Sequence, residues 1–506
     1  MSDASVAEAL RSDARLVVVE APGGCGKTFQ GASFARDAAA TIGDGRLLIL
    51  AHTNAACDVF AARTRGLSRR VEIRTIHGLI TEIAGAYHKA FGLPLDVGAW
   101  ARREDGYDQL AARTATLLAH HPMIAACLAR RYPLIICDEH QDASADQHAI
   151  IMSLHATGAK LRIFADPMQQ IFSGNSQAEV RAAEQQWTNL VNAACRYEEL
   201  DQPHRWTNGQ PALGAWILAA RATLKSGGQL DLTGDLPTGL TVHLADNTAR
   251  RGAGFSASAE QRKPIQDRAR APSILVLTGR NDTVTALRTF FWRSLPVWEG
   301  HVRDGLEALV THTKNNGGNA EALAAGILKF MGAVATGFSP TAFGNRLIEE
   351  ARNGCVATCR GKPQLVQSIA RHLVESPDHR GVARALERVR DLAFNDSSFS
   401  DVKIHHTREL AEAIQLSRYE CPEEGFSELA RRRSHARPAL PARAISTIHK
   451  AKGLEFDNVM LLPCDRGNFG DTRKARAKLY VALSRATHSL MLVVSPSNPS
   501  PLLKIS

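Results

Sequence analysis

The sequence predicts an α/β fold built on parallel sheet, and three observations carry that prediction. An apolar, β-branched run at residues 16–20 enters a glycine-rich turn and then a helix-compatible stretch at 29–40. A second apolar run at 133–137 ends in two acids, Asp138 and Glu139. Apolar strands and helical stretches alternate on to residue 199, the rhythm of a parallel sheet covered by helices.

Composition narrows the class. The chain has 506 residues, 44% hydrophobic and 22% charged, so it can bury real cores and is neither disordered nor a disulfide scaffold. A formal net charge of +10 favours a polyanionic partner such as nucleic acid. Aromatic residues are 6%, which argues against a grip built on many stacked bases. The 9 cysteines are an odd, scattered set and read as reduced thiols. Cys355 and Cys359 can share a helix face, but no second pair completes a metal site. The first 15 residues mix Asp, Glu and Arg, and no apolar run is long enough to cross a bilayer. The expectation is a cytoplasmic protein without a membrane partner.

The first chemical segment is Ala21, Pro22, Gly23, Gly24, Cys25, Gly26, Lys27 and Thr28. Strand, glycine-rich turn and helix make a phosphate loop: backbone N–H groups wrap phosphates and the helix start favours negative charge. Lys27 is expected to reach the β- and γ-phosphates and Thr28 to bind Mg²⁺. The strict pattern fails at its first glycine, where Ala21 stands. Cys25, beside a lysine and a helix start, is placed where a thiol can become reactive, but the favoured reading is that it is there merely because it is small. Asp138, at a strand end, is expected to hold Mg²⁺, and Glu139 to orient and deprotonate the attacking water. Gln169 follows the apolar run 161–165, and its amide can sense the γ-phosphate.

Farther on, 246–271 is polar and poor in large apolar residues and reads as a mobile loop. Residues 273–278 read as a buried strand followed by a helix over 282–293. The stretches 366–375 and 382–393 are helical in pattern, and 434–443, with Pro438 and Pro441, reads as a linker.

Eight segments in order resemble the motifs of the UvrD/PcrA/Rep-like superfamily 1A DNA helicases. They are 21–28, His52 to Ala56, Thr75 to His77, Asp138 to Asp142, Asp166 to Phe172, Pro203 to Arg205, Thr447 to Phe456, and Tyr480 to Ala486. The resemblance implies two RecA-like P-loop domains with reduced, mainly helical insertions: 1A at 1–78 and 132–199, 1B at 79–131, 2A at 200–301 and 443–506, and 2B at 302–442. It implies ATP and Mg²⁺ as cofactors, Arg205 and Arg485 as arginine fingers, and His204, Gly453 and Glu455 at the nucleotide, Glu455 on its ribose. It also implies that His52, Thr53, Asn54, Thr75, His77, Phe172 and His449 line single-stranded DNA, with 3′ to 5′ movement and a tailed duplex as substrate. Ordinary readings stand beside these: the arginines as surface residues, His77 and His449 as structural histidines, Phe172 as core, and Arg431 to Arg433 as a solvated face.

The chain departs from that family where it lacks a glutamine before the phosphate loop, has His204 in place of a stacking Tyr, and has His52 and Gly174 in place of aromatic rings. Lost stacking weakens a single-strand grip by about 1–3 kcal/mol per base. Compact size and motif style are also similar to the small helicase of Gabija-type antiphage systems. That resemblance implies a hetero-oligomer with an OLD-family ATPase–TOPRIM nuclease. A repair helicase, and a nucleotide-gated DNA sensor or regulatory subunit with little unwinding, stay open.

Overall fold

A computed structural model of the chain describes residues 2–67, 69–101, 105–171, 176–248, 255–292, 294–298, 304–404, 406–435 and 441–505. The chain divides into two compact units, Met1–Trp298 with Pro441–Ser506, and Glu299–Leu440.

In the first unit, six of the described strands form one parallel sheet: β1 (Leu16–Glu20), β2 (Leu47–Ala51), β3 (Val71–Thr75), β4 (Leu134–Cys137), β5 (Lys160–Ala165) and β6 (Arg196–Glu199), in the order β3-β2-β4-β5-β1-β6. All of β1 is buried, as expected of a parallel strand covered on both faces. Its side chains alternate between layers: Leu16 and Val18 join a cluster with Ile80 and Leu110, whereas Val17 and Val19 pack with Phe34 and Phe60. This order sets β4, β5 and β1 side by side, so the segments leaving their C-terminal ends share one edge. That edge is where open parallel sheets bind ligands.

A helix, Ser2–Arg11, precedes β1, and a carbonyl of its last turn and two of the segment just beyond it are held from inside the sheet. Arg162 on β5 is buried, with Nε donating to Leu10 O at 2.7 Å, Nη2 to Ser12 O at 2.8 Å and Nη1 to Ala14 O at 2.8 Å. Among the described residues no carboxylate pairs with it, and burial lowers its pKa to about 10. Its charge is spent on orphan carbonyls at a helix end.

The same unit carries a second parallel sheet: β7 (Leu240–Leu244), β8 (Ile274–Thr278), β9 (Arg443–Thr447), β10 (Phe456–Cys464) and β11 (Ala486–Val494), in the order β9-β8-β10-β11-β7. Helices Pro211–Lys225 and Arg473–Leu483 pack over one face around the fully buried Trp206, whose indole N–H donates to Ala486 O at 2.6 Å. The mobile loop expected at 246–271 is corrected by a helix, Ala259–Arg268. The Ser258 side chain caps it, Ile265 is buried, and Arg262 lies over the Phe290 ring. One buried isoleucine and one cap supply what the polar composition concealed; residues 249–254 lie outside the described residues. The linker expected at 434–443 is corrected at both ends, since Ser434 and His435 end the helix Pro422–His435 and Arg443 begins β9; residues 436–440 lie outside the described residues.

The second unit is mainly helical. Helices Ala320–Val334, Lys362–Glu375 and His379–Asn395 enclose an apolar core in which Phe343 stacks on Phe338, ring centroids 5.2 Å apart. Cys355 and Cys359 share no helix, as Cys355 sits past Asn345–Arg352 at φ 60°.

Arg162→Met keeps the length of the side chain but orphans the carbonyls it serves. It should cost about 1–3 kcal/mol in urea unfolding and speed amide exchange selectively across residues 2–11; unchanged exchange there would show that the helix does not depend on Arg162.

Candidate nucleotide and DNA site

The phosphate loop joins β1 to helix Lys27–Thr41, with Gly26 at the helix start in the left-handed region at φ 81°. Gly24 is also left-handed, at φ 87°, and a Cβ there would stand 2.7 Å from the Trp206 ring. The loop is therefore closely covered. Arg205 N–H donates to Gly24 O at 3.0 Å, and Gly23 N–H donates to the Tyr480 hydroxyl at 2.8 Å. Ala21, where the strict pattern has glycine, is buried and its N–H extends the β1–β5 ladder to Ala165 O. Pro22 is buried beside it. Cys25 is buried as well, and burial pushes its thiol up to about 12, in keeping with the favoured reading that it is there because it is small.

Lys27 ion-pairs with Glu139 and lies 3.7 Å from Asp138 Oδ1. Burial raises the pKa of the Asp138 carboxyl, with Lys27 opposing. Burial acts the same way on Glu139, but there the Lys27 charge prevails and holds its carboxyl low. Glu139 stands in the left-handed region at φ 53°, a backbone conformation that costs energy for a residue with a side chain. Gln141 steadies it, donating to Glu139 Oε2 at 2.5 Å. Asp138 Oδ1 is buried without a hydrogen-bond partner. An unsatisfied carboxylate oxygen at the end of β4 and the Thr28 hydroxyl on the helix that follows β1, with β5 between the two strands, are hard oxygen donors of the kind that suits Mg²⁺. Among the described residues no group of three or more His, Cys, Asp and Glu forms a larger metal site.

Gln169 closes the same edge after β5, with Nε2 3.0 Å from where a Cβ on Gly23 would stand. From the second sheet comes Arg485, buried at 2% exposure, with Nη2 3.6 Å from that same point. It donates to Val481 O at 2.9 Å, Leu454 O at 3.2 Å and Ser484 Oγ at 2.7 Å. No carboxylate pairs with it among the described residues, and burial, followed by the Arg205 charge, lowers its pKa to about 10. Arg205 is committed differently: Nη2 donates to Glu455 Oε1 at 2.6 Å, joining two residues expected at opposite ends of a nucleotide. Gly453, at φ 84°, has open space around it. The His204 ring lies against Gly26, 3.0 Å from where a Cβ would stand, and its Nε2 meets Asp3 Oδ2 at 2.6 Å.

Sequence reasoning left two partners without a role. Lys452 Nζ donates to both Asp142 oxygens, at 2.8 and 2.7 Å, and to Gln169 O at 2.8 Å, bolting the second sheet to two strand ends of the first. Tyr480 holds Gly23, and burial drives its phenol far above the ordinary value, so it stays a neutral hydroxyl. Both lie inside recognised motifs, but their partners are hundreds of residues away.

The residues expected along DNA follow β2, β3 and β9. The Thr53 and Thr75 hydroxyls cap helices Asn54–Arg63 and Ile76–Ala86, so two helix starts face out from neighbouring strands. Asn54 is exposed in the first of these turns. His52 and His449 are each lowered to about 4 by burial first, and His77 is lowered by burial too. They offer rings and hydrogen bonds at neutral pH rather than charge. His77 contacts Gln147 at 3.1 Å and the half-exposed Tyr107 ring edge-on, centroids 5.0 Å apart. Phe172 and Gly174 lie outside the described residues.

No curated protein matches the chain. Residues 95–185, which include Asp138, Glu139 and Gln169, match the UvrD/REP helicase N-terminal domain. Residues 443–493, which include Lys452, Glu455, Tyr480 and Arg485, match the UvrD-like helicase C-terminal domain. With one match on each sheet, in chain order, around the shared phosphate loop, these findings support a UvrD/Rep-like helicase and indicate a DNA-dependent ATPase.

Proposed function

We propose that the chain hydrolyses ATP between its two parallel sheets and uses the cycle to translocate 3′ to 5′ on single-stranded DNA, opening tailed duplexes. The observation that carries this reading is the convergence on Gly23 of Gln169 from one sheet and Tyr480 and Arg485 from the other.

The triphosphate competes with Glu139 for Lys27. Once Lys27 turns to phosphate, the charge that held the Glu139 carboxyl low is engaged elsewhere. Burial then makes Glu139 a better base, with Gln141 keeping it in place for the attacking water. Thr28 and Asp138 hold Mg²⁺, which when bound screens the phosphates and offsets charge on the transferring group. Among the described residues Arg485 has no carboxylate to give up, so its charge is available to the γ-phosphoryl oxygens; Arg205 exchanges Glu455 for phosphate, leaving Glu455 to the ribose. His204 offers its ring to the base. Segments 79–131 and 302–442 take the parts of 1B and 2B.

DNA lies across the helix starts at Thr53, Asn54, Thr75 and His77, where backbone N–H groups favour phosphates, with His52 and His449 beside it. A sensor that hydrolyses ATP with little unwinding is the second reading, favoured by His52, a half-buried neutral ring at an aromatic position. We further infer that the chain works in the cytoplasm beside an OLD-family nuclease in Gabija-type defence, a reading supported by compact size and motif style. Co-purification with the product of a neighbouring nuclease gene tests it, and a chain that elutes alone argues for a repair helicase.

Lys27→Ala should abolish DNA-stimulated ATPase, and Glu139→Gln should lower kcat by about 10²–10⁴ with the melting temperature held. Full turnover in either purified variant defeats the hydrolytic assignment. Arg485→Ala should reduce kcat by about 10³ while a fluorescent ATP analogue still binds; loss of binding with kcat retained would make it a ground-state contact instead. A 3′-tailed duplex should be separated by the isolated chain in the presence of ATP, whereas ATPase without strand separation selects the sensor.

A further inference from the structure

Several charged side chains that this hydrolysis scheme does not use meet at the C-terminal ends of β1, β5 and β6. Glu20 ends β1, Glu199 ends β6, and Asp166 directly follows β5. Glu20 and Asp166 are each 0% exposed. The cation between them comes from the other sheet. Arg221, 4% exposed, sits on helix Pro211–Lys225, which shares a core with Leu479, Leu483 and Leu490. Its Nε and Nη2 donate to Asp166 Oδ1 at 3.2 and 2.9 Å, Nη1 donates to Glu199 Oε1 at 3.0 Å, and Nη2 also meets Glu20. Lys225, one turn on, adds a second cation at Glu20, and Tyr197 donates to Glu20 Oε2 at 2.7 Å.

Asp166 has one oxygen left. Its Oδ2 accepts from Gln169 Nε2 at 2.9 Å. An ionised carboxylate only accepts, so it admits the Gln169 amide in one orientation, nitrogen inward. That nitrogen is also the atom 3.0 Å from the Cβ point of Gly23, and it carries a second N–H. A flipped amide would press its oxygen against Asp166 and against any phosphate in the loop.

We propose that Arg221 and Asp166 are positioning residues for phosphate recognition: Arg221, reaching across from the second sheet, pins Asp166, and Asp166 fixes the Gln169 amide with its nitrogen facing the phosphate loop. The proposal rests on the reading of Gln169 as the γ-phosphate sensor and extends it. Because the arginine and the carboxylate belong to different sheets, the amide is set while the sheets are together and is released when they part. A hydrolysis step that needs this donor is thereby confined to the closed state.

The test is a double-mutant cycle on DNA-stimulated ATPase with Asp166→Asn and Gln169→Ala. Each single change should lower kcat by about tenfold or more and leave KM for ATP within about threefold. The double variant should be no slower than Gln169→Ala alone, since Asp166 acts through that amide. If the two losses multiply, Asp166 is merely structural and the proposal falls while the sensor reading stands. If Gln169→Ala turns over at the wild-type rate, the sensor reading falls and the proposal with it. Should Asp166→Asn not fold, Arg221→Lys serves in the same cycle, because an ammonium keeps the charge but loses the fork that reaches three carboxylates.

Discussion

Burying charge at strand ends is the constraint on which the rest of this structure depends. A parallel sheet covered on both faces brings its C-terminal ends together in a place with little water. There the chain sets Glu20, Asp138, Glu139 and Asp166 along three adjacent strands. Each such group costs several kcal/mol unless it is paired. Lys27 answers for Asp138 and Glu139, and Arg221 with Lys225 answers for Glu20 and Asp166. One residual demand stays open, at Asp138 Oδ1. The site's cation is thus already engaged, and in the proposed cycle its exchange to phosphate is also what changes the basicity of Glu139.

How much of this was legible depends on how local the determining contact is. The phosphate loop, the acid pair and the strands around them were readable because each is a contiguous pattern: β1 falls on residues 16–20 as expected, and the helix after the loop covers the stretch foreseen. The pairings across the site were not. Arg221 occurs in an amphipathic stretch where an arginine ordinarily faces water, and only the fold shows it turned toward Glu20, about 200 residues back in the chain. Arg162 reads as a polar break in an apolar strand until the preceding helix brings its carbonyls there. The cover of the phosphate loop was equally hidden: a loop that looks open in sequence is roofed by Trp206 and Tyr480 from the second sheet. Polar composition likewise hid the helix Ala259–Arg268, whose stability comes from packing of Ile265 rather than from its own propensity.

The character of the contacts between the two sheets bears on motion. Near the loop several are directional and polar: the charged Lys452 to Asp142 and Gln169 and Arg221 to Asp166, and the backbone Arg205 N–H to Gly24 O. Such contacts hold one geometry closely yet can be exchanged for water or phosphate, which a continuous apolar interface cannot do at comparable cost. Two of them end on the segment from Asp166 to Gln169, the stretch whose amide faces Gly23. On the proposed role of Gln169, a displacement of the second sheet is felt first at the amide that faces Gly23, before any of the strands themselves need to move. Coupling of this kind needs no long relay, since second-sheet side chains touch the Asp166–Gln169 segment directly, Lys452 at the Gln169 carbonyl and Arg221 at the Asp166 carboxylate.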